Sequence, residues 1–229
     1  MKVSVIGLGY IGLPTAAILA SKKVEVLGVD TSQHIVDTIK LGQIHIIEPH
    51  LSDLVFSTVQ KGYLRSSIKP ESADIFMIAV PTPFKGNNEP DLSFIENAAK
   101  SIAPVIKKGN MIILESTSPV GATEKMMCWM QELRPDLIFP IYGGDGSLAD
   151  ISIAYCPERV LPGQVVRELV ENDRIIGGVT SYCAEQAIKL YKIFVKAECL
   201  VTDCRTAELS KLVENSFRDV NIAFANELS

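Results

Sequence analysis

The stretch KVSVIGLGYIGLPTAAILASKKVEVLGVD at residues 2–30 decides the fold. Its β-branched start predicts a buried strand, its three glycines predict a tight turn, and the Ala- and Leu-rich run to residue 20 predicts a helix. Gly7 permits the turn, Gly9 lets a pyrophosphate approach the backbone, and Gly12 lets helix and strand pack closely. With Tyr10 and Ile11 beside them, these glycines are predicted to hold a phosphate at the positive end of the helix dipole.

Asp30 ends the second predicted strand, which runs from Val24 to Val29. A carboxylate at this position can accept hydrogen bonds from both hydroxyls of a ribose and repels a 2′-phosphate, so the pattern favours NAD over NADP. A glycine pattern alone occurs in many turns, and a plain βαβ turn without a ligand is the alternative. Here the strand, the glycines, the helix and the acidic residue follow one another at the spacing of a dinucleotide site. This order favours an NAD site.

The rest of the chain continues the alternation of strands and helices. Residues 43–67 are predicted to be an insertion with some helix near 51–61. Strands are predicted near 75–80, 111–114, 174–177 and 199–201, weaker strands near 137–139 and 151–155, and helices near 31–41, 93–106, 123–133 and 182–194. The alternation predicts an α/β fold, a Rossmann-type doubly wound parallel sheet covered on both faces. From residue 205 the pattern predicts the start of a long helix without a stop signal.

Composition excludes several classes of protein. The net charge is −5 and the basic residues are dispersed, which argues against nucleic acid as a partner. The five cysteines are scattered without metal-ligand spacing, so we predict no metal and reduced thiols in a cytoplasmic protein. Residues 4–20 are apolar, but they contain three glycines and Pro14, and only Lys2 precedes them. We therefore predict neither a signal peptide nor a membrane span.

Polar residues follow three of the predicted strands. Thr82 lies in VPTP at 80–83, and Thr117 lies in STSPVG at 116–121. Their hydroxyls can face a ligand at the carboxyl edge of the sheet, although Thr82 also fits a proline-stiffened loop and the second segment also fits a cap for the helix at Thr123. Glu158 is a candidate general base, although the residues alone favour a solvated pair of Glu158 with Arg159.

Lys211 and Asn215 lie four residues apart on the last predicted helix, and Glu208 precedes them on the same side. An ammonium and an amide together can stabilise an oxyanion, although the residues alone favour an exposed helix face. Cys156 and Cys199 lie in apolar runs and are predicted to pack in the core rather than to act as nucleophiles.

Several motifs in order resemble the nucleotide-sugar dehydrogenases, the family of UDP-glucose, GDP-mannose and UDP-N-acetylmannosamine 6-dehydrogenases. The matching segments are GLGYIGLP at 7–14, VPTP at 80–83, ESTSPVGAT at 115–123, CPERVLPG at 156–163 and AELSKLVENSFRDVNIAFANEL at 207–228. The variants at 78–85, 154–163 and 214–229 are most similar to the UDP-N-acetyl-D-mannosamine branch. The UDP-glucose branch would more typically read PEFLREG at 157–163.

The resemblance implies a two-step oxidation of the sugar C6 alcohol to a carboxylate with two NAD. A cysteine captures the aldehyde in that family, and water hydrolyses the resulting thioester. Glu158 corresponds to the acid that helps activate this water, and Lys211 and Asn215 correspond to the pair that steadies the oxyanion. The residues implied to hold NAD are Gly7, Gly9, Gly12 and Asp30, with Thr82 and Thr117 lining the cofactor and water side.

The family's nucleophilic cysteine follows the central helix, and none of the five cysteines here matches its motif. The resemblance therefore implies an NAD-binding domain at 1–203 and a central interdomain and dimerisation helix at 204–229, cut short before the sugar-nucleotide domain. We expect a UDP-sugar partner, no activity of this part alone, and a homodimer for the full-length family member. Two alternatives stay open. One is the same chemistry on UDP-glucose, UDP-N-acetylglucosamine or GDP-mannose, and the other is a truncated binding module without catalysis.

Overall fold

The computed structural model describes residues 1–146 and 148–229, and within these ranges it contains one eight-stranded sheet. The strands are short runs of Val, Ile, Leu and Met whose side chains are mostly buried, as expected for a sheet that is covered on both faces. They are β1 (Lys2–Ile6), β2 (Glu25–Val29), β3 (Leu64–Ser67), β4 (Ile75–Ile78), β5 (Met111–Leu114), β6 (Ser152–Tyr155), β7 (Arg174–Gly178) and β8 (Cys199–Asp203).

The spatial order of the sheet is β3-β2-β1-β4-β5-β6-β7-β8. The chain returns to the middle of the sheet between β3 and β4, so the crevice between β1 and β4 is the topological switch point at which such folds bind ligands. This arrangement confirms the predicted Rossmann-type fold. One pair departs from a fully parallel sheet, because β7 is antiparallel to β6.

Eight helices cover the sheet within the described residues. They are α1 (Gly12–Ser21), α2 (Gln33–Lys40), α3 (Leu51–Gln60), α4 (Ser93–Ile102), α5 (Ala122–Leu133), α6 (Val165–Glu171), α7 (Ser181–Tyr191) and α8 (Cys204–Glu227). Side chains cap the amino ends of several of these helices. Ser32, Thr180 and Asp203 accept hydrogen bonds from the first-turn backbone N–H groups of α2, α7 and α8.

The local structure departs from the prediction in three places, although the helix predicted within the insertion is present as α3. Residues 137–139 form no strand, because Leu137 and Phe139 pack into the core from an irregular segment. The insertion is more regular than predicted, because its end forms β3 and extends the sheet beside β2. Helix α6 is absent from the prediction. Its start depends on Glu48, whose carboxylate accepts hydrogen bonds from Gly163 N and Val165 N and which is distant in the sequence.

Candidate active site

The glycine turn between β1 and α1 is tightly built. Gly7 has a φ of +93°, and a Cβ atom there would lie 2.6 Å from the Ala79 carbonyl oxygen. A Cβ atom on Gly12 would lie 1.8 Å from the Gly7 carbonyl oxygen. Gly9 differs, since nothing lies within 4 Å of its ideal Cβ position. The backbone at Gly9 is therefore open to a ligand, and the turn lies at the positive end of the α1 dipole, which favours a pyrophosphate there.

Asp30 holds this turn together while it faces the cavity. Its Oδ2 accepts a hydrogen bond from Leu8 N at 3.0 Å, and its Oδ1 accepts one from Ser32 N at 2.9 Å. Each carboxylate oxygen retains a further lone pair for a ribose hydroxyl. The open Gly9 backbone and this carboxylate together fit a dinucleotide with a free 2′-hydroxyl.

A cavity of about 790 Å³ lies along the carboxyl edge of the sheet. Among the described residues, those predicted for the site that line it are Gly7, Gly9, Tyr10, Ile11, Asp30, Thr82, Thr117, Glu158 and Lys211. Gly12 and Asn215 are not among the described lining residues. Gly12 is buried behind the turn, and the Asn215 side chain instead accepts a hydrogen bond from Arg218 Nη2 at 2.6 Å.

The loops that follow β4 and β5 are joined at the cavity. Thr82 Oγ1 donates a hydrogen bond to the Thr117 carbonyl oxygen at 2.6 Å, and Ser116 Oγ donates one to the Val80 carbonyl oxygen at 2.7 Å. The Thr82 hydroxyl thus uses its proton within the protein, and its oxygen remains an acceptor for a ligand. The helix after Thr117 is not capped by the serines, since Gly121 precedes α5 and a side chain from α8 caps it.

Glu158 is buried rather than solvated, with 7% of its surface exposed, so the interpretation as a surface pair with Arg159 is wrong. Its Oε2 forms an ion pair with Arg174 Nη1, and its Oε1 accepts a hydrogen bond from Arg159 N at 2.8 Å. The Arg159 side chain instead pairs with Glu214 on α8. Arg174 thus holds the carboxylate of Glu158 at the wall of the cavity.

The antiparallel direction of β7 explains how Arg174 reaches this place. Tyr155 pairs with Gly177, so the amino end of β7 extends past the carboxyl end of β6. Arg174 begins β7 and therefore lies at the edge of the sheet where the parallel strands end. Its guanidinium also packs over the ring of Tyr191, 5.2 Å from the ring centroid. A fully parallel sheet would place this charge at the opposite edge.

Sequence reasoning did not identify Glu115 as a site residue, although it directly follows β5 as Glu158 follows β6. Glu115 is 3% exposed and lines the cavity, and its Oε1 accepts a hydrogen bond from the Tyr191 hydroxyl at 2.7 Å. Burial raises the pKa of Glu115 to about 7, with Arg174 opposing and Glu158 adding to the shift. A charged residue at the end of an apolar strand was the available signal.

Helix α8 brings Lys211 into the cavity. The interpretation as an exposed helix face is wrong for its first turns, because Glu208 and Lys211 are both buried. The Glu208 carboxylate accepts hydrogen bonds from Gly121 N at 2.6 Å, Thr123 N at 2.8 Å and Thr123 Oγ1 at 2.6 Å. It thereby caps α5 and anchors α8. Burial lowers the pKa of Lys211, one turn further along.

None of the five cysteines is among the described residues that line the cavity. Cys156 packs in the core as predicted, and burial raises the pKa of its thiol to about 12. Cys199 is half-buried at the edge of the sheet. The described residues contain no group of three or more His, Cys, Asp or Glu side chains that could hold a metal ion. No described helix has the length and apolarity that crossing a membrane requires.

The doubly wound sheet, with an open glycine turn and a carboxylate beside its switch point, is typical of a dinucleotide-binding domain. Residues 1–195 match the UDP-glucose/GDP-mannose dehydrogenase family, NAD binding domain, and residues 205–229 match the central domain of that family. This chain belongs to the UDP-glucose/GDP-mannose dehydrogenase family, as the motifs predicted.

Three relatives illustrate the match. UDP-N-acetyl-D-mannosamine dehydrogenase of Campylobacter jejuni is 66% identical over 100% of this chain and 56% of its own length. NDP-N-acetyl-D-galactosaminuronic acid dehydrogenase of Ralstonia nicotianae is 63% identical over 99% of this chain and 53% of its own length. The solved structure of UDP-D-ManNAc dehydrogenase from Pyrococcus horikoshii has a TM-score of 0.91 at 42% identity, covering 99% of this chain and 53% of its own. The chain spans about half the length of these relatives.

Proposed function

We propose that this chain binds NAD and that the full-length protein oxidises the C6 alcohol of UDP-N-acetyl-D-mannosamine to the carboxylate with two NAD. One observation carries the proposal: a single cavity holds the glycine turn and Asp30 as well as Glu158 and Lys211. A cofactor seat and an acid–base pair in one cavity are what a dehydrogenase requires.

The charged residues that line the cavity each have a role in the proposed reaction. Bound NAD supplies the hydride acceptor. Asp30 holds the ribose and selects against a 2′-phosphate. Glu158, kept in place by Arg174, accepts a proton from the attacking water, and Lys211 stabilises the negative charge that develops on the substrate oxygen. We assign Thr117 to the water side and Asn215 to the oxyanion, the latter requiring its amide to turn away from Arg218.

We assign residues 1–203 to the NAD-binding domain and residues 204–229 to the central interdomain helix. Beyond Lys211, α8 carries a series of exposed apolar side chains, among them Val213, Phe217, Val220 and Phe224. A large apolar surface of this kind is typical of a protein–protein contact. It supports a homodimer contact through α8 in the full-length protein.

The choice of substrate rests on the relatives. Two kinds of relative have nearly the same sequence identity to this chain. One is named for UDP-N-acetyl-D-mannosamine, and the other is named for an N-acetyl-D-galactosaminuronic acid. UDP-N-acetylgalactosamine is therefore the second candidate, and we place UDP-glucose, UDP-N-acetylglucosamine and GDP-mannose behind both. Measuring kcat/KM of the full-length protein with all five sugar nucleotides decides among them. A preference for UDP-glucose or GDP-mannose would overturn the assignment.

Replacing Asp30 with asparagine should weaken NAD binding by about 1–3 kcal/mol, the scale of a lost charge-assisted hydrogen bond. The loss of negative charge should also relax the rejection of NADP. Asparagine can still accept one of the two backbone hydrogen bonds, whereas alanine in Asp30→Ala would lose both and loosen the turn. Calorimetric titration with both cofactors measures the change, with the exposed Asp53→Asn as the control. Unchanged affinity for both cofactors would mean that Asp30 does not contact the ribose.

The 229-residue chain should bind NAD without steady reduction when UDP-N-acetyl-D-mannosamine is added. The chain spans about half the length of its relatives, so we expect most contacts to the sugar nucleotide to lie outside it. No cysteine lines the cavity among the described residues, so the second oxidation, through a thiohemiacetal, has no thiol there either. Absorbance at 340 nm measures NADH directly, and the full-length protein is the positive control. Continuous NADH formation by the 229-residue chain would contradict this prediction.

A further inference from the structure

The Glu115 side chain has an unusual environment at the wall of the cavity. Its Oε1 accepts the hydrogen bond from Tyr191, but its buried Oε2 has no hydrogen-bond partner among the described residues. A buried carboxylate oxygen without a partner is unfavourable, and a neutral carboxyl is tolerated better. The unpartnered oxygen is therefore free to interact with whatever occupies the cavity.

The charges around Glu115 do not balance. The groups that face it are Arg174 from β7, Glu158 and Cys156 after β6, and Tyr191 from α7. Burial raises the pKa values of the Cys156 thiol and the Tyr191 hydroxyl, so both are neutral. Arg174 is thus the cation that acts on Glu115, but its ion pair is with Glu158, which Lys211 also faces. An added positive charge in the cavity would favour the ionised form of Glu115.

The position of Glu115 along the sheet suggests the source of that charge. Asp30 follows β2 and Glu115 follows β5, three strand spacings away in the order β2-β1-β4-β5, or about 14 Å. A dinucleotide with its adenosine ribose at Asp30 would lie in the cavity that the glycine turn shares with Glu115, Glu158 and Lys211. The oxidised nicotinamide ring carries a positive charge, and the reduced ring does not.

We propose that Glu115 is a proton-releasing group of this cavity, partly protonated in the free chain at neutral pH and ionised when oxidised NAD binds beside the Glu158–Arg174 ion pair. The inference rests on the proposed NAD binding. The O–H bond of the Glu115 carboxyl breaks, its electron pair stays on the carboxylate, and the proton passes to the buffer. The carboxylate then balances the positive ring, and reduction of the ring favours the return of the proton.

Linkage gives the sign of the effect. Because binding of oxidised NAD releases a proton, its affinity should rise as the pH increases through 7, whereas the affinity for NADH should not. We expect about half a proton released per bound NAD at pH 7. The corresponding gain in affinity between pH 6 and pH 8 should be about three- to tenfold.

Titration calorimetry of the 229-residue chain in two buffers of different ionisation enthalpy measures proton release. Wild type should release a proton fraction with oxidised NAD and none with NADH, whereas Glu115→Gln should release none with either. The exposed Glu132→Gln is the control and should behave as wild type. Equal release from Glu115→Gln and wild type, or equal release with both cofactors, would overturn the proposal.

A second measurement needs no cofactor and separates this inference from the proposed function. Carbon-13 NMR of glutamate carboxyls, assigned by the resonance missing in Glu115→Gln, should give Glu115 a titration midpoint near 7. Tyr191→Phe should raise that midpoint, because the Tyr191 hydrogen bond lowers the pKa of Glu115. A midpoint near 4.5 refutes the inference even if NAD binds. A midpoint near 7 without any heat of NAD binding refutes the proposed function, and it also refutes the coupling between NAD binding and Glu115 ionisation. In that case only the raised pKa of Glu115 is supported.

Discussion

Replacing Arg174 with methionine should lower the free energy of unfolding by about 3–5 kcal/mol at neutral pH, the scale for breaking a buried ion pair from one side. Arg174 is 2% exposed and pairs with the buried Glu158, so the variant leaves that carboxylate without its counterion. Methionine fills a similar volume, which limits any contribution from a cavity. Urea unfolding followed by circular dichroism measures the loss.

The decrease in the free energy of unfolding caused by Arg174→Met should grow as the pH rises. The folded-state pKa of Glu115 is raised to about 7, above its ordinary 4.5, so its contribution to stability is fully present below 4.5 and is lost as the pH rises through 7. Arg174 lowers the pKa of Glu115, so its removal raises that pKa further and extends the loss to higher pH. Unfolding measured at pH 5.5 and pH 8 tests this sign.

Two controls separate the missing charge from a packing defect. Arg167 lies on the exposed side of α6, so Arg167→Met should leave the free energy of unfolding nearly unchanged. The double variant Arg174→Met with Glu158→Gln should be more stable than Arg174→Met alone, because it removes the unpaired carboxylate. A double variant no more stable than the single variant would show that packing, and not charge, sets the cost.

Replacing Gly12 with alanine should destabilise the chain by at least about 3 kcal/mol, the upper end for overpacking a core, and should abolish NAD binding. The added Cβ atom would meet the Gly7 carbonyl oxygen at 1.8 Å, and neither backbone segment is a flexible side chain that can move aside. The turn and the first residues of α1 would have to shift apart. Thermal unfolding and calorimetric titration with NAD measure both effects.

Gly9→Ala is the matched control three positions earlier in the same turn. Nothing lies within 4 Å of the ideal Cβ position of Gly9. The free energy of unfolding should therefore change by no more than about 1 kcal/mol. The new methyl group projects from a residue that lines the cavity, so NAD binding should still weaken. Equal stability of Gly12→Ala and Gly9→Ala would contradict the packing role that we give to Gly12.

Much of the fold could be predicted because its signals are local. The β-branched runs, the glycine turn and the side-chain cap of α2 each depend on residues within one or two turns of chain. The predictions failed where contacts come from far along the chain. Strand β3 depends on pairing with β2, and α6 depends on Glu48, which is 117 residues from Val165.

The glycine turn, the doubly wound sheet and the family could be predicted from the sequence, because each depends on residue types at fixed spacing. Which charges are buried together could not be predicted in this way. The antiparallel β7 brings Arg174 to Glu158, α7 brings Tyr191 to Glu115, and Glu208 anchors α8 so that Lys211 enters the cavity. Burial and charge pairing depend on distances between segments remote in the sequence, and residue spacing does not encode them.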